Sequence, residues 1–172
     1  MGEITLILGG ARSGKSRHVL DLIGRKRRRV AFIATGDPFD GEMKQRIGLH
    51  RKERPPHWET FEEAWNVSSV VDRLGARFDW IVVDCLTLLV SNMLLKKFKA
   101  ERVEAEVERL AQVMGKNKAR CILVSNEVGL GIVPANALAR HFRDVAGRVN
   151  QKVAARADRV VFMISGIPWR IK

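Results

Sequence analysis

Short apolar runs recur along the chain, and segments with the apolar spacing of helices lie between them. Five runs have the length and composition of buried strands: Ile4–Leu8, Val30–Ala34, Trp80–Asp84, Cys121–Ser125 and Val160–Ile164. The helical segments are Lys15–Gly24, Glu42–Lys52, Val67–Leu74, Leu86–Lys97 and Arg102–Met114. Strands that alternate with helices predict a mostly parallel sheet with helices on both faces. No repeat or linker interrupts the pattern, which predicts one domain over residues 1–172.

A longer helix is predicted between the last two of these strands. Asn136 is a typical N-cap residue, and the helix is expected to run from it through Ala155. Apolar side chains recur along one face of this helix: Leu138, Phe142, Val145, Val149 and Val153.

Polar residues and glycines follow the predicted strands. They form the segments Thr35-Gly36-Asp37, Asp84-Cys85-Leu86-Thr87, Asn126-Glu127-Val128-Gly129 and Ser165-Gly166. Ligands of such sheets bind outside the carboxyl ends of the strands, so this edge is the predicted binding site. For the segment that begins at Asn126, glycines that only shape a loop are an equally simple explanation.

The segment after the first strand has the pattern of a phosphate-binding loop. Gly9-Gly10-Ala11-Arg12-Ser13-Gly14-Lys15-Ser16 fills every fixed position of G-x-x-x-x-G-K-[ST], between a strand and a helix. Such a loop points backbone N–H groups and a helix N-terminus at an anion. We expect Lys15 to reach the β- and γ-phosphates of a nucleoside triphosphate and Ser16 to bind Mg²⁺. The predicted fold is α/β, a three-layer, RecA-like fold of the phosphate-loop NTPase type.

Asp84 ends the apolar run Ile81-Val82-Val83 at the same edge of the predicted sheet. A carboxylate there is placed to bind Mg²⁺ together with Ser16, directly or through water. An aspartate that caps the following helix is the alternative, and it is compatible with metal binding.

Composition excludes several classes of protein. The chain has 172 residues, of which 46% are hydrophobic, enough for one continuous core. Its longest apolar stretch, Trp80–Leu95, is broken by polar residues, so no membrane span is expected. Because the sequence enters its first predicted strand at once, no signal peptide is expected. Cys85 and Cys121 match no metal or redox spacing, which favours buried free thiols and a cytoplasmic protein.

The net charge of +12 arises from 31 Lys and Arg against 19 Asp and Glu. The densest basic run, Arg25–Arg29, has no interleaved aromatic residue, and the chain has no tyrosine for stacking on bases. We therefore expect a solvated connection there and no nucleic-acid partner, with a phosphate-loop NTPase acting on nucleic acid as the rival interpretation. A guanine-nucleotide switch is disfavoured because the nearest N-K-x-D match, Asn117–Arg120, lacks the aspartate.

Among four histidines, His50 is distinguished by its basic neighbours. On a helix, Arg46, His50 and Arg54 would share one face through their i, i+4 spacing. Cations nearby favour a neutral, nucleophilic imidazole and stabilise incoming phosphate. On spacing alone, a solvated basic helix is the simpler explanation. His18 lies one turn after Lys15 and is expected to pack or cap locally. His57 lies in a bend beside two prolines, and His141 lies on the long helix between Arg140 and Phe142.

Several longer motifs resemble a single enzyme family. They are GGARSGKSRH from Gly9, FIAT from Phe32, DGEMKQRIGLHRKERPPHW from Asp40, VVDCLTLLVSN from Val82, SNEVGLGIVP from Ser125 and LARHFRDVAGRVNQKVA from Leu138. Together they resemble the bifunctional adenosylcobinamide kinase and adenosylcobinamide-phosphate guanylyltransferase family of cobalamin biosynthesis. The resemblance implies phosphorylation of adenosylcobinamide by a nucleoside triphosphate. It also implies transfer of GMP from GTP to adenosylcobinamide phosphate, which gives adenosylcobinamide-GDP.

The resemblance also implies roles for individual residues. In the family's R-I-x-x-H-[KR] segment, the histidine becomes covalently guanylylated, and that position is His50 here. The implied nucleotide contacts are Gly9, Gly10, Ala11, Arg12, Ser13, Gly14, Lys15, Ser16, Ala34, Thr35, Gly36, Arg51, Lys52, Glu53, Arg54, Glu62 and Asp84. The implied catalytic residues are His50 and Lys15, and the implied Mg²⁺ ligands are Ser16 and Asp84. GTP, or ATP for the kinase step, is the implied co-substrate, and a homotrimer is the implied assembly.

Overall fold

The computed structural model describes residues 2–24, 27–37, 41, 45, 48, 51 and 54–172. Its described strands are β1 (Ile4–Gly9), β2 (Val30–Ala34), β3 (Glu59–Glu62), β4 (Trp80–Asp84), β5 (Arg120–Asn126), β6 (Arg159–Ile164) and β7 (Ile167–Arg170). Its described α-helices are α1 (Lys15–Ile23), α2 (Val67–Leu74), α3 (Leu86–Leu95), α4 (Ala100–Lys116) and α5 (Ala137–Arg156). A short 3-10 helix, Gly75–Arg77, follows α2.

All seven strands join one sheet in the order β3-β2-β4-β5-β1-β6-β7. Every pairing is parallel except that of β6 with β7, which is antiparallel. The order places β5 between β1 and β4, so the carboxyl ends of the three central strands lie side by side. The predicted α/β class and the mostly parallel sheet are therefore confirmed.

The sheet forms the middle of three layers because successive side chains of a strand point to opposite faces. Leu6, Ile33, Val83 and Leu123 pack in one core with residues of α2, α3, α4 and α5. The neighbouring positions Ile7, Phe32, Val82 and Ile122 pack in a second core with α1. Strand positions buried on both faces account for the continuous apolar runs in the sequence.

Two edge strands do not stand out in the sequence. In β3 and β7, seven of the eight residues are exposed and the remaining one, Phe61, is half-buried, so neither strand has an apolar run. Proline at position 168 is tolerated there because β7 pairs only with β6. Both strands are thus specified by pairing with a neighbour rather than by a pattern of their own.

The predicted helices are found with small differences at their ends. Asn136 caps α5 as predicted, its side chain accepting a hydrogen bond from the Ala139 backbone N–H at 3.1 Å. The apolar face of α5 is buried at Val145, Val149 and Val153, whereas Leu138 is exposed. The predicted helix Glu42–Lys52 lies mostly outside the described residues; residues 45, 48 and 51 of it are helical.

Both cysteines are buried free thiols, as the sequence indicated. Burial raises the pKa of each to about 12, and at Cys85 the charge of Asp84 adds to this shift. Such thiols are not ionised near neutral pH and are poor nucleophiles. Within the described part of the basic run, residues 27–29 are exposed, and Arg29 forms an ion pair with Asp79. None of the described helices is long and apolar enough to cross a membrane.

Candidate active site

The phosphate loop, Gly9–Ser16, is formed by backbone that requires glycine at two positions. Gly9 has φ 152°, and a Cβ there would lie 2.6 Å from Ser13 Oγ and 2.7 Å from the carbonyl oxygen of Met163. Gly14 has φ 97° and directly precedes α1. The turn between β6 and β7 supports the loop, because the Gly166 N–H donates to the Ser13 carbonyl at 3.0 Å. The glycines of the motif are therefore explained by backbone geometry and close packing.

Lys15 lies across this loop. Its Nζ donates to the carbonyl oxygens of Gly9 at 3.0 Å and Gly10 at 2.6 Å, so the ammonium is held over the loop backbone. Burial lowers the pKa of Lys15, and the negative charge of the nearby Asp84 carboxylate partly opposes this shift. A phosphate bound to the loop would favour the charged amine further.

Asp84 ends β4 and pairs in register with Ala34 of β2 and Val124 of β5. It lines a cavity of about 470 Å³ together with Ser16, the first-turn serine of α1. The structure thus brings the two predicted metal ligands to one cavity. A hydroxyl and a carboxylate are oxygen donors, which suit Mg²⁺, an ion that usually takes only one or two carboxylates and completes its coordination with water and phosphate. The donor set therefore fits the predicted ion.

Apolar and aromatic side chains form much of the remaining cavity wall. The rings of Phe32 and Trp58 stack with their centroids 6.2 Å apart, and both residues line the cavity with Val19 and Leu20 of α1. Neither aromatic residue was predicted as part of the site. Phe32 could have been identified from the sequence, because alternation along β2 places it on the same face of the sheet as α1.

Arg51 and Arg54, here called the basic wall, lie on the β3 side of this site. The Arg54 guanidinium lies 3.8 Å from the centroid of the Phe32 ring, and its Nη1 donates to Thr60 Oγ1 at 3.2 Å. Arg51 Nη2 donates to Glu62 Oε1. The structure therefore brings together Arg51, Arg54 and Glu62, three of the residues that the resemblance predicted.

Arg54 is a cation in partly buried surroundings. Burial lowers its pKa, Asp84 opposes the shift, Arg51 adds to the lowering and Glu62 again opposes it. Its buried Nε has no hydrogen-bond partner among the described residues. A buried donor without a partner is costly, and an anionic ligand in the cavity would relieve that cost.

Thr35 differs from the other predicted nucleotide contacts because it is fully buried. Its hydroxyl accepts a hydrogen bond from the Cys85 N–H at 2.7 Å and donates to the Cys85 carbonyl at 2.8 Å. Asn92 Nδ2 donates to the Thr35 carbonyl at 2.7 Å. The hydroxyl of Thr35 therefore joins the ends of β2 and β4, and the half-buried Gly36 follows it at the sheet edge.

The predicted nucleophile His50, with Lys52 and Glu53, lies outside the described residues. The other three histidines are described and differ in environment. His57 and His141 are exposed, and His18 on α1 is half-buried. Burial lowers the pKa of His18, with Asp21 opposing the shift.

Residues 5–171 match the family described as cobinamide kinase / cobinamide phosphate guanyltransferase. The chain belongs to this family. The resemblance inferred from the motifs is therefore confirmed, and the chain is a transferase. The match spans the phosphate loop, the cavity and the β5–α5 region alike.

Three relatives show how far the similarity extends. The bifunctional adenosylcobalamin biosynthesis protein CobP of Pseudomonas aeruginosa is 43% identical over 167 residues, covering 97% of this chain and 96% of that protein. The bifunctional adenosylcobalamin biosynthesis proteins CobU of Salmonella typhimurium and Escherichia coli are 42% and 40% identical over 179 residues, covering 97% of this chain and 98% of each protein. The similarity thus extends over nearly the whole length of each relative.

Proposed function

We propose that this chain carries out two successive transfers in cobalamin biosynthesis. It phosphorylates adenosylcobinamide with a nucleoside triphosphate, and it then transfers GMP from GTP to adenosylcobinamide phosphate to give adenosylcobinamide-GDP. The observation that carries the proposal is membership of the kinase and guanyltransferase family over residues 5–171, in a chain whose phosphate loop is fully formed.

The kinase step uses the phosphate loop. Its backbone N–H groups and Lys15 bind the β- and γ-phosphates, while the hydroxyl of the acceptor attacks the γ-phosphorus and the bond to the β–γ bridging oxygen breaks. Ser16 and Asp84 would hold Mg²⁺, which neutralises charge on the phosphate oxygens when it is bound. Loop and lysine are held in place before the reaction, so they stabilise the transferring group without reorganising.

The guanylyl step uses His50 as a nucleophile. A neutral imidazole nitrogen attacks the α-phosphorus of GTP, pyrophosphate leaves, and the histidine–GMP phosphoramidate passes GMP to adenosylcobinamide phosphate. Support comes from the chain itself, since His50 is joined directly to Arg51 of the basic wall. The guanidinium group of Arg54, which lines the cavity, would stabilise charge on the α-phosphate, and that of Arg51 lies close to it.

We assign the cavity to the guanosine part of GTP. Its apolar wall of Phe32 and Trp58 suits a planar base. Arg54 packs on the Phe32 ring and lines the same cavity as Asp84. The resemblance to the family adds further proposed nucleotide contacts: Ala34, Gly36, Lys52, Glu53 and Glu62.

The remaining assignments concern the state of the protein. We propose a cytoplasmic enzyme with residues 1–172 as one nucleotide-binding domain, and the single sheet supports this organisation.

We also propose a homotrimer without a nucleic-acid partner. Edge strand β7 supports an interface between copies, because all four residues are exposed and Trp169 is 60% exposed. Light scattering should give three chains, and Trp169→Lys should lower the measured mass.

Labelled GTP tests the two transfers separately. Label from α-labelled GTP should stay with the denatured protein, whereas label from γ-labelled GTP should pass only to adenosylcobinamide. The adduct should be labile to acid and stable to alkali, as expected of a phosphoramidate. His50→Ala should lose the adduct and GMP transfer yet keep phosphorylation of adenosylcobinamide.

Two matched variants control for the loss of a histidine as such. His57→Ala and His141→Ala remove exposed imidazoles and should keep the adduct. Labelling that persists in His50→Ala and disappears in one of these variants would place the nucleophile elsewhere. Added DNA or RNA should leave nucleotide turnover unchanged.

A further inference from the structure

The loop that leaves β5 begins directly beside the phosphate loop. Asn126 pairs in register with Gly9, and the Glu127 N–H donates to the Gly9 carbonyl at 3.2 Å. β5 is hydrogen-bonded to β1, whereas β2 is separated from β1 by β4 and β5. At about 4.8 Å per strand, the end of β2 is roughly 14 Å away from the end of β1. Glu127 therefore follows the strand that is hydrogen-bonded to β1, directly beside the phosphate loop.

Glu127 is a carboxylate that the transfers described so far do not use. Its Oε1 accepts a hydrogen bond from the Gly129 N–H at 2.8 Å, and its other oxygen makes no hydrogen bond to the described residues. The carboxylates at the ends of β3 and β4 already have partners or a proposed role. Glu62 binds Arg51, Glu63 accepts from the N–H groups of Trp65 and Asn66, and Asp84 is the proposed metal ligand.

Buried polar side chains fix the start of this loop. The Asn126 N–H donates to Thr87 Oγ1 at 2.6 Å, and its carbonyl accepts from Asn150 Nδ2 at 3.5 Å. Ser125 Oγ donates to Asn150 Oδ1 at 2.7 Å. The backbone that enters Glu127 is thus tied to α3 and α5, which holds it in a defined position next to Gly9.

The same loop exposes a large apolar surface after Glu127. Leu130, Ile132 and Val133 are exposed, and Ile132 is 96% exposed. A corrinoid acceptor carries a large macrocycle with extensive apolar area, so this surface is suited to the acceptor rather than to a triphosphate. The acceptor and the bound phosphates would then meet at Glu127.

We propose that Glu127 is the general base of the kinase step, an inference that rests on the proposed function. Its carboxylate takes the proton of the acceptor hydroxyl as that oxygen bonds to the γ-phosphorus. The bond between the γ-phosphorus and the β–γ bridging oxygen breaks, and the nucleoside diphosphate leaves with its electron pair. The proton then passes from Glu127 to water.

Glu127→Gln separates this role from a structural one. Glutamine keeps an oxygen that can accept from the Gly129 N–H, so the loop is retained, but it cannot accept the hydroxyl proton. The phosphorylation kcat should fall on the order of 100-fold or more, with the KM for GTP unchanged. Formation of the α-labelled protein adduct and GMP transfer to supplied adenosylcobinamide phosphate should both stay at the wild-type level.

A matched control is Glu101→Gln, which removes an exposed carboxylate at the start of α4 and should leave both steps unchanged. Full phosphorylation by Glu127→Gln would overturn the proposal. Equal loss of both transfers would also overturn it, because that pattern indicates a loop-shaping residue. If the wild type transfers no γ-label to adenosylcobinamide, the proposed function itself fails, which is a different result.

Discussion

Ser16 of the phosphate loop and Arg54 of the basic wall line one cavity, and the two regions are built in different ways. The loop is local: its shape depends on Gly9 and Gly14, and its lysine is held by carbonyls within the same eight residues. The basic wall depends on distant parts of the chain. Arg54 packs on Phe32 of β2 and binds Thr60 of β3, and Arg51 binds Glu62.

This difference determines how each region responds to substitution. Because the phosphate loop is stabilised mainly by its own residues, a substitution within it should weaken ligand binding without unfolding the protein. Arg54 is held by an aromatic ring and a strand hydroxyl, so a substitution that keeps its positive charge should still displace that charge. Four substitutions, in order of decreasing effect, test this contrast.

Lys15→Ala should remove the function of the phosphate loop. The loop would lose the cation that lies over the β- and γ-phosphates, so kinase turnover should fall on the order of 1,000-fold and GTP binding should weaken strongly. Thermal unfolding should be nearly unchanged, because Lys15 contacts loop carbonyls rather than the core. Lys118→Ala, at an exposed position before β5, is the control. Normal kinase turnover in folded Lys15→Ala protein would refute the assignment.

Asp84→Asn tests the proposed metal ligand, which lines the same cavity as Ser16 and Arg54. An amide is a poorer ligand than a carboxylate for a hard cation, so Mg²⁺-dependent turnover should fall on the order of 100-fold. Nucleotide affinity should be partly retained, because the loop is intact. A magnesium titration of the rate measures the effect, with exposed Asp72→Asn on α2 as the control. A normal rate with a normal Mg²⁺ dependence would show that Asp84 is not a metal ligand.

Arg54→Lys tests whether the basic wall needs shape as well as charge. Lysine keeps the positive charge but loses the planar group that lies on Phe32 and reaches Thr60. We expect the KM for GTP in guanylylation to rise about tenfold, which corresponds to about 1.4 kcal/mol. Arg102→Lys, whose guanidinium lies 4.1 Å from the Phe98 ring outside the cavity, should not change this KM. An unchanged KM in Arg54→Lys would leave only charge as its contribution.

Thr35→Val should have the smallest effect on the reaction. Valine matches the shape of threonine but leaves the buried N–H and carbonyl of Cys85 without their partner. The free energy of unfolding should fall by about 1–3 kcal/mol, while GTP affinity of the folded protein stays within about twofold. Denaturant unfolding and equilibrium binding measure the two quantities. Thr5→Val, buried in β1, is the control for the substitution itself. A large loss of affinity with unchanged stability would instead favour a direct nucleotide contact.

Most of the fold could be predicted because the central strands are buried on both faces. The five apolar runs correspond to β1, β2, β4, β5 and β6, whose burial leaves a continuous signal in the sequence. The two strands that were missed, β3 and β7, pair on one edge only and have almost no buried side chain. The same distinction applies within the site. Trp58 lies outside the strands and helices, so no apolar periodicity in the sequence predicted that it packs against Phe32.

The phosphate loop, the α/β class and the family could be predicted from the amino-acid sequence alone, because each depends on residues close together in the chain or on a motif of fixed spacing. The folded structure was needed to show which distant residues share the cavity, that Thr35 joins the ends of β2 and β4, and that the loop containing Glu127 begins beside Gly9. The cause is the order of the strands in the sheet. Parallel pairing brings the ends of β1, β2, β4 and β5 to one edge, and no local pattern in the sequence records which strands are neighbours.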